Sequence, residues 1–147
     1  MAQKKAKAAA ATPRFRFQYA AKFLCTSNIP GTSQTTDSLL PGVYQTVVNI
    51  HNPNNQTARI RKKIAVTNPP IVSDFVKSGL KPDEAVKVDC RDVATEFGIT
   101  FIHGAEGFLV IESTRSLDVT AVYTAGPRGG DVASIDVEQI KERRLAG

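Results

Sequence analysis

A chain of 147 residues, 41% of them hydrophobic, can fill one good core and not two. Its charged residues, 22% of the total, interrupt every apolar run well short of the roughly 20 residues that cross a bilayer, which excludes a membrane-spanning helix. Lys4, Lys5 and Lys7 are followed only by Ala8 to Ala11 and Thr12-Pro13-Arg14, so no secretory signal is expected and the chain reads as cytoplasmic at synthesis.

The formal charge of +5 is unevenly placed. Residues 1–36 hold six bases and no acid, whereas residues 37–147 hold 13 bases against 14 acids, or −1. Before Phe15 the only apolar residues besides Met1 are alanines, so residues 1–16 are expected to form a flexible basic arm that cannot bury itself in its own domain. The domain proper is expected over 17–140, with a charged tail at 141–147. The alternation Arg14-Phe15-Arg16-Phe17 is strand-like. Together with Lys4, Lys5 and Lys7 these four residues are the candidates for contact with a neighbouring copy, through addition of the arm to an open sheet edge.

From Phe15 onward, short apolar alternations are broken by Gly, Pro, Asn and Ser, the texture of strands. Phe15 to Cys25 reads as the first strand, with Phe15, Phe17, Tyr19, Ala21, Phe23 and Cys25 on one face. A long loop over 26–42 leads to the most regular strand, Val43 to His51. Residues 52–56, Asn-Pro-Asn-Asn-Gln, have the chemistry of a tight reversal, which predicts a hairpin with the return strand Thr57 to Val66. That strand sets Ile60, Ile64 and Val66 against Arg59, Arg61 and Lys63, and Lys62 interrupts its apolar face. Phe75 and Val76 fall in an irregular stretch, Ala85 to Cys90 is a short strand, and residues 91–97 form the one helical turn, stopped at Gly98. The last third offers strands at Ile99 to His103, Phe108 to Ser113, Ser116 to Ala125 and Val132 to Ile140, with Thr114-Arg115 as a tight turn. The candidate core is Val48, Ile50, Val110, Ile111, Val119 and Tyr123. Seven or eight strands at a spacing near 10 residues predict an all-β, two-sheet antiparallel sandwich, jelly-roll or immunoglobulin-like.

Reactive chemistry is sparse. No GxSxG, GxGxxG or GxxxxGK[ST] occurs, so neither an activated serine nor a phosphate cradle is expected, nor any cofactor. His51 and His103 lack partners at a ligand interval, and Asp83, Glu84, Asp89, Asp92 and Asp131 do not form a calcium loop, so no metal site is expected. Asn55-Gln56-Thr57 fits a glycosylation sequon but reads as the end of a turn. Cys25 and Cys90 could bridge if their strands were neighbours; without a secretory signal, two buried thiols are the favoured reading. Arg59, Arg61, Lys62 and Lys63 could meet phosphates, but the aromatic interleaving of a nucleic-acid surface is missing, with Tyr44 taken as the nearby aromatic, which disfavours a nucleic-acid partner.

The run from Val43 to Val66, then Leu80-Lys81-Pro82-Asp83-Glu84 before Val86-Lys87-Val88, then Phe108-Leu109-Val110-Ile111-Glu112-Ser113 and Leu117-Asp118-Val119-Thr120-Ala121-Val122-Tyr123, resembles in layout the small bacterial β-sandwich proteins of the sensory rhodopsin transducer type. The resemblance covers about 80 residues and implies a soluble, non-enzymatic, oligomeric protein; it transfers no functional residue. The sequence thus leads to a non-catalytic structural or scaffold subunit whose partners are other copies of itself. The alternative is a module that binds a carbohydrate or a signalling partner through the loops at Ser27 to Ser38 and Gly104 to Gly107.

Overall fold

The computed structural model describes residues 14–26, 39, 42–67, 69–101, 104–127, 129 and 131–146. Lys4, Lys5, Lys7 and the loop over Ser27 to Ser38 therefore lie outside the described residues. Among the described residues, ten strands and one helical turn follow in chain order: β1 (Phe17–Cys25), β2 (Val43–His51), β3 (Ala58–Val66), β4 (Ile71–Val72), β5 (Val76–Leu80), β6 (Ala85–Asp89), α1 (Asp92–Thr95), β7 (Ala105–Ser113), β8 (Asp118–Gly126), β9 (Ser134–Gln139) and β10 (Arg143–Arg144). They form two antiparallel sheets packed as a sandwich. The larger has the order β10-β1-β7-β3-β4, with β5 also on β3, and the smaller is β6-β2-β8-β9.

The period of two decides the core. Tyr19, Ala21, Phe23 and Cys25 of β1 point inward and are buried, as do Val48 and Ile50 of β2, Ile60 and Ile64 of β3, Leu109 and Ile111 of β7, and Val119 and Ala121 of β8. Val110 is on the other parity: it pairs with Ala20 and Lys63 on the outside of the larger sheet and is half-buried, so it leaves the expected core. Gly107 is required where β7 meets β3, because a Cβ there would stand 2.0 Å from the Ala65 carbonyl oxygen.

The expected hairpin at residues 52–56 is instead an arch between the sheets, since β2 belongs to the smaller sheet and β3 to the larger. Asn52 makes the arch. Wholly buried, its Nδ2 donates to the carbonyls of Gln56 and Leu80, both at 2.9 Å, and its Oδ1 accepts from the Asn54 amide at 3.0 Å. Its backbone is held as well, with its amide on Glu84 O and its carbonyl taking the Asp83 amide. A side chain that satisfies backbone groups of two connections at once fixes the crossing, and its bond to the Leu80 carbonyl is buried, where a lost partner is costly. The turn at Thr114-Arg115 likewise joins β7 in one sheet to β8 in the other. Residues 76–80, read as irregular, form β5; residues 99–101 form no strand, and Ile99 and Phe101 pack against the core without a ladder.

Two devices tie the layers together. Cys25, at the end of β1, and Cys90, just after β6, are joined in a disulfide rather than left as thiols. Beside it, Thr46 Oγ1 accepts from the Leu24 amide at 2.8 Å and donates to its carbonyl at 2.9 Å. Lys62, the cation on the apolar face of β3, is buried and reaches Glu96 at 2.8 Å, so the interruption in the pattern is an interior ion pair. No described helix is long and apolar enough to cross a membrane.

Candidate assembly surfaces

The outside of the larger sheet is charged and internally satisfied. Register aligns Gln18, Glu112 and Arg61 across β1, β7 and β3. Glu112 accepts from Gln18 Nε2 at 2.9 Å and from Arg61 Nε at 2.8 Å, while Arg61 Nη2 reaches it at 2.5 Å. The Arg61 guanidinium is stacked between two rings, 4.2 Å from the centroid of Phe15 and 4.4 Å from that of Phe75. Lys63 covers Phe75 as well, and Lys22 lies over Phe108 and pairs with Glu106 at 3.3 Å. Arg61, Lys63 and Lys22 each have a ring or a carboxylate of their own chain.

The outside of the smaller sheet differs in kind. Pairing of β2, β8 and β9 lays down three outward rows: Asn49, Thr120 and Gln139; Val47, Val122 and Val137; Gln45, Thr124 and Ile135. No member of these rows is charged. Val47 and Val122 are half-buried, but Val137 and Ile135 are 62% and 66% exposed, on a strand of which every residue is exposed. On the far side, β6 contributes Lys87 and Asp89, which pair with each other at 2.5 Å. β9 has a neighbour only in β8, so its other backbone edge is open among the described residues. On the opposite parity, beside the sandwich mouth, β9 carries Ser134, Asp136 and Glu138; the Tyr123 hydroxyl donates to Glu138 at 3.2 Å, and burial, then Glu138, raise the Tyr123 pKa to about 12.

The root of the arm is engaged within its own domain. The Arg16 amide donates to Ser113 O and its carbonyl accepts from the Leu145 amide, while Phe17 pairs with both Ser113 and Arg144. Phe15 leaves the inward face to stack on Arg61. Arg14 and Arg16 are exposed. Any segment exchanged with a neighbour thus begins before Arg16. Residues 143 and 144, expected in a tail, form β10 against β1.

At the end of the sandwich where β1 begins, Glu142 is held by Ser116 and by the Tyr19 hydroxyl at 2.6 Å, which keeps its carboxyl below the usual range. Burial and then Glu142 push the Tyr19 pKa up to about 12. His51 lies between Asp118, 2.9 Å from Nδ1, and Asp83, 3.3 Å from Nε2. No group of three or more acidic, histidine or cysteine side chains able to hold a metal occurs among the described residues. The rings that accompany Arg61 were missed because Phe15 is remote in sequence and Phe75 is brought to β3 only by the pairing of β5, which was not read as a strand; the alternation of Ile135 and Val137 was visible, but not that it faces outward.

No protein-family model matches the chain, and no curated protein matches it. Among solved structures the chain is similar to one titled "Crystal Structure of Thermotoga maritima 1070", at 13% identity, over 82% of this chain and 91% of that one, with a TM-score of 0.48.

Proposed function

We propose that this protein is a non-catalytic structural subunit that assembles with copies of itself, using the outer face of the smaller sheet as its main contact. The observation that carries the reading is the apolar row Val47, Val122 and Val137, which ends in the exposed Val137 beside the exposed Ile135. Water contact with such a continuous apolar row is unfavourable, and a second copy of the same face removes it at no cost in unpaired charge. An open edge beside it adds unpaired backbone groups that invite the same partner. The basic arm with Lys4, Lys5 and Lys7 supports the reading by complementing the acids of β9 on a neighbour.

Sedimentation velocity over a concentration series tests it. The wild-type chain should associate, and Ile135→Lys with Val137→Lys should associate much more weakly at the same concentrations. A wild-type chain that stays monomeric throughout defeats the reading. The second reading, a module binding a carbohydrate or a signalling partner, is favoured by a shallow depression on the larger sheet, where Phe108, 43% exposed, lies beside Ala20 and Val110 under a rim that includes Lys141 and Arg143.

A further inference from the structure

Both sheets end on the same side of the sandwich. Only residues 140–142 separate β9 from β10, and the four steps from Gln139 to Arg143 span at most roughly 14 Å, little more than the about 10 Å between packed sheets. The last strand of the smaller sheet therefore lies next to the end strand of the larger one, and together they make one lateral edge two layers deep.

The two layers carry opposite charge. Residues 131–139 contain Asp131, Asp136 and Glu138 and no base, whereas β10 consists of Arg143 and Arg144, next to the exposed Arg16. All of these side chains are exposed, and among the described residues no ion pair joins Arg143 or Arg144 to Asp136 or Glu138 within the chain. An acidic layer over a basic layer on one flank is complementary to itself under one rotation. A two-fold axis along the strands exchanges the layers, setting β9 of one copy beside β10 of the other, and this happens twice by symmetry. A two-fold axis normal to the sheets would put acid on acid and base on base, which is costly.

We propose that a second copy docks on the β9–β10 flank about a two-fold axis parallel to the strands, with Asp136 and Glu138 of each chain facing Arg144 of the other and Arg143 beside them on the outer side of that sheet. This rests on the self-assembly reading and assigns it a second surface and a symmetry. The edge adds a self-limiting contact to the one made by the outer face.

Charge-reversal complementation tests it with the full chain, read by sedimentation velocity at low salt and accompanied by circular dichroism to show that each variant is folded. Arg143→Glu with Arg144→Glu, and separately Asp136→Lys with Glu138→Lys, should each weaken self-association at least about tenfold. An equimolar mixture of the two should form a heterodimer of near wild-type affinity, and the fourfold variant carrying both reversals should self-associate again. If the two reversals leave wild-type association unchanged, the flank is not the contact and the outer face alone carries assembly. If the fourfold variant is as weak as either reversal alone, the layers do not face each other and the proposed symmetry is wrong. A wild-type chain that never associates removes the self-assembly reading itself, and this inference with it.

Discussion

The two outer faces are built from the same kind of strand and differ in what their side chains have to bind. On the larger sheet, Glu112 takes three hydrogen bonds from Gln18 and Arg61, and Arg61 is itself enclosed by Phe15 and Phe75. On the smaller sheet, the row Val47, Val122 and Val137 has only its own neighbours, and its outermost members are in water. One face has its polar groups satisfied by its own chain, and the other leaves apolar side chains in water. The contrast separates residues that hold the monomer from residues available to a partner, and mutations at the two faces should therefore fail in different ways.

The largest loss should come from what fastens the faces back to back. The disulfide spans a sequence separation of 65, so replacing both Cys25 and Cys90 by Ser should lower unfolding free energy by roughly 4 kcal/mol, measured in urea. Asn52→Ala comes next: it removes the buried hydrogen bond to the Leu80 carbonyl and the part-buried one to that of Gln56, and should cost about 3 kcal/mol. A loss below about 0.5 kcal/mol would show that the arch is set by its backbone instead.

Glu112→Gln probes the completed face directly. Glu112 is buried and Arg61 partly so, and removal of the charge should cost about 2 kcal/mol of monomer stability without altering association. An equal loss of association would erase the distinction between the faces.

A smaller effect carries a sign. The hydrogen bond to Asp118, with that to Asp83, raises the pKa of His51 above its usual 6.5. The folded state therefore binds the proton more tightly than the unfolded one. The contribution is complete below pH 6.5 and disappears as pH rises through the raised value. The melting temperature should fall across that window, and His51→Gln should flatten this part of the profile. Smallest of all for the monomer is Val137→Lys, which should change unfolding free energy by less than about 0.5 kcal/mol because the side chain is already in water.

Strand positions were legible because period-two alternation is a local property: β2 was read to the residue, and β3, β6 and β8 nearly so. Sheet membership was not, since the same Asn- and Pro-rich turn can close a hairpin or arch between layers, and only the burial of Asn52 tells them apart. Lys62 looked like a defect until Glu96, 34 residues on, supplied its partner. The assembly candidates divided: Phe17 and Arg16 are occupied by their own sheet, while the acid and apolar residues of β9 read only as one more strand of the sandwich. Alternation gives two faces but does not say which of them meets water when the strand lies at an edge.

Amide hydrogen exchange followed as a function of protein concentration tests the central claim most directly. The account predicts that backbone amides of 134–139 become protected as concentration rises, while those of β4, at the opposite edge of the larger sheet, exchange at the same rate throughout. Protection that appears at β4 and leaves β9 unchanged would contradict it.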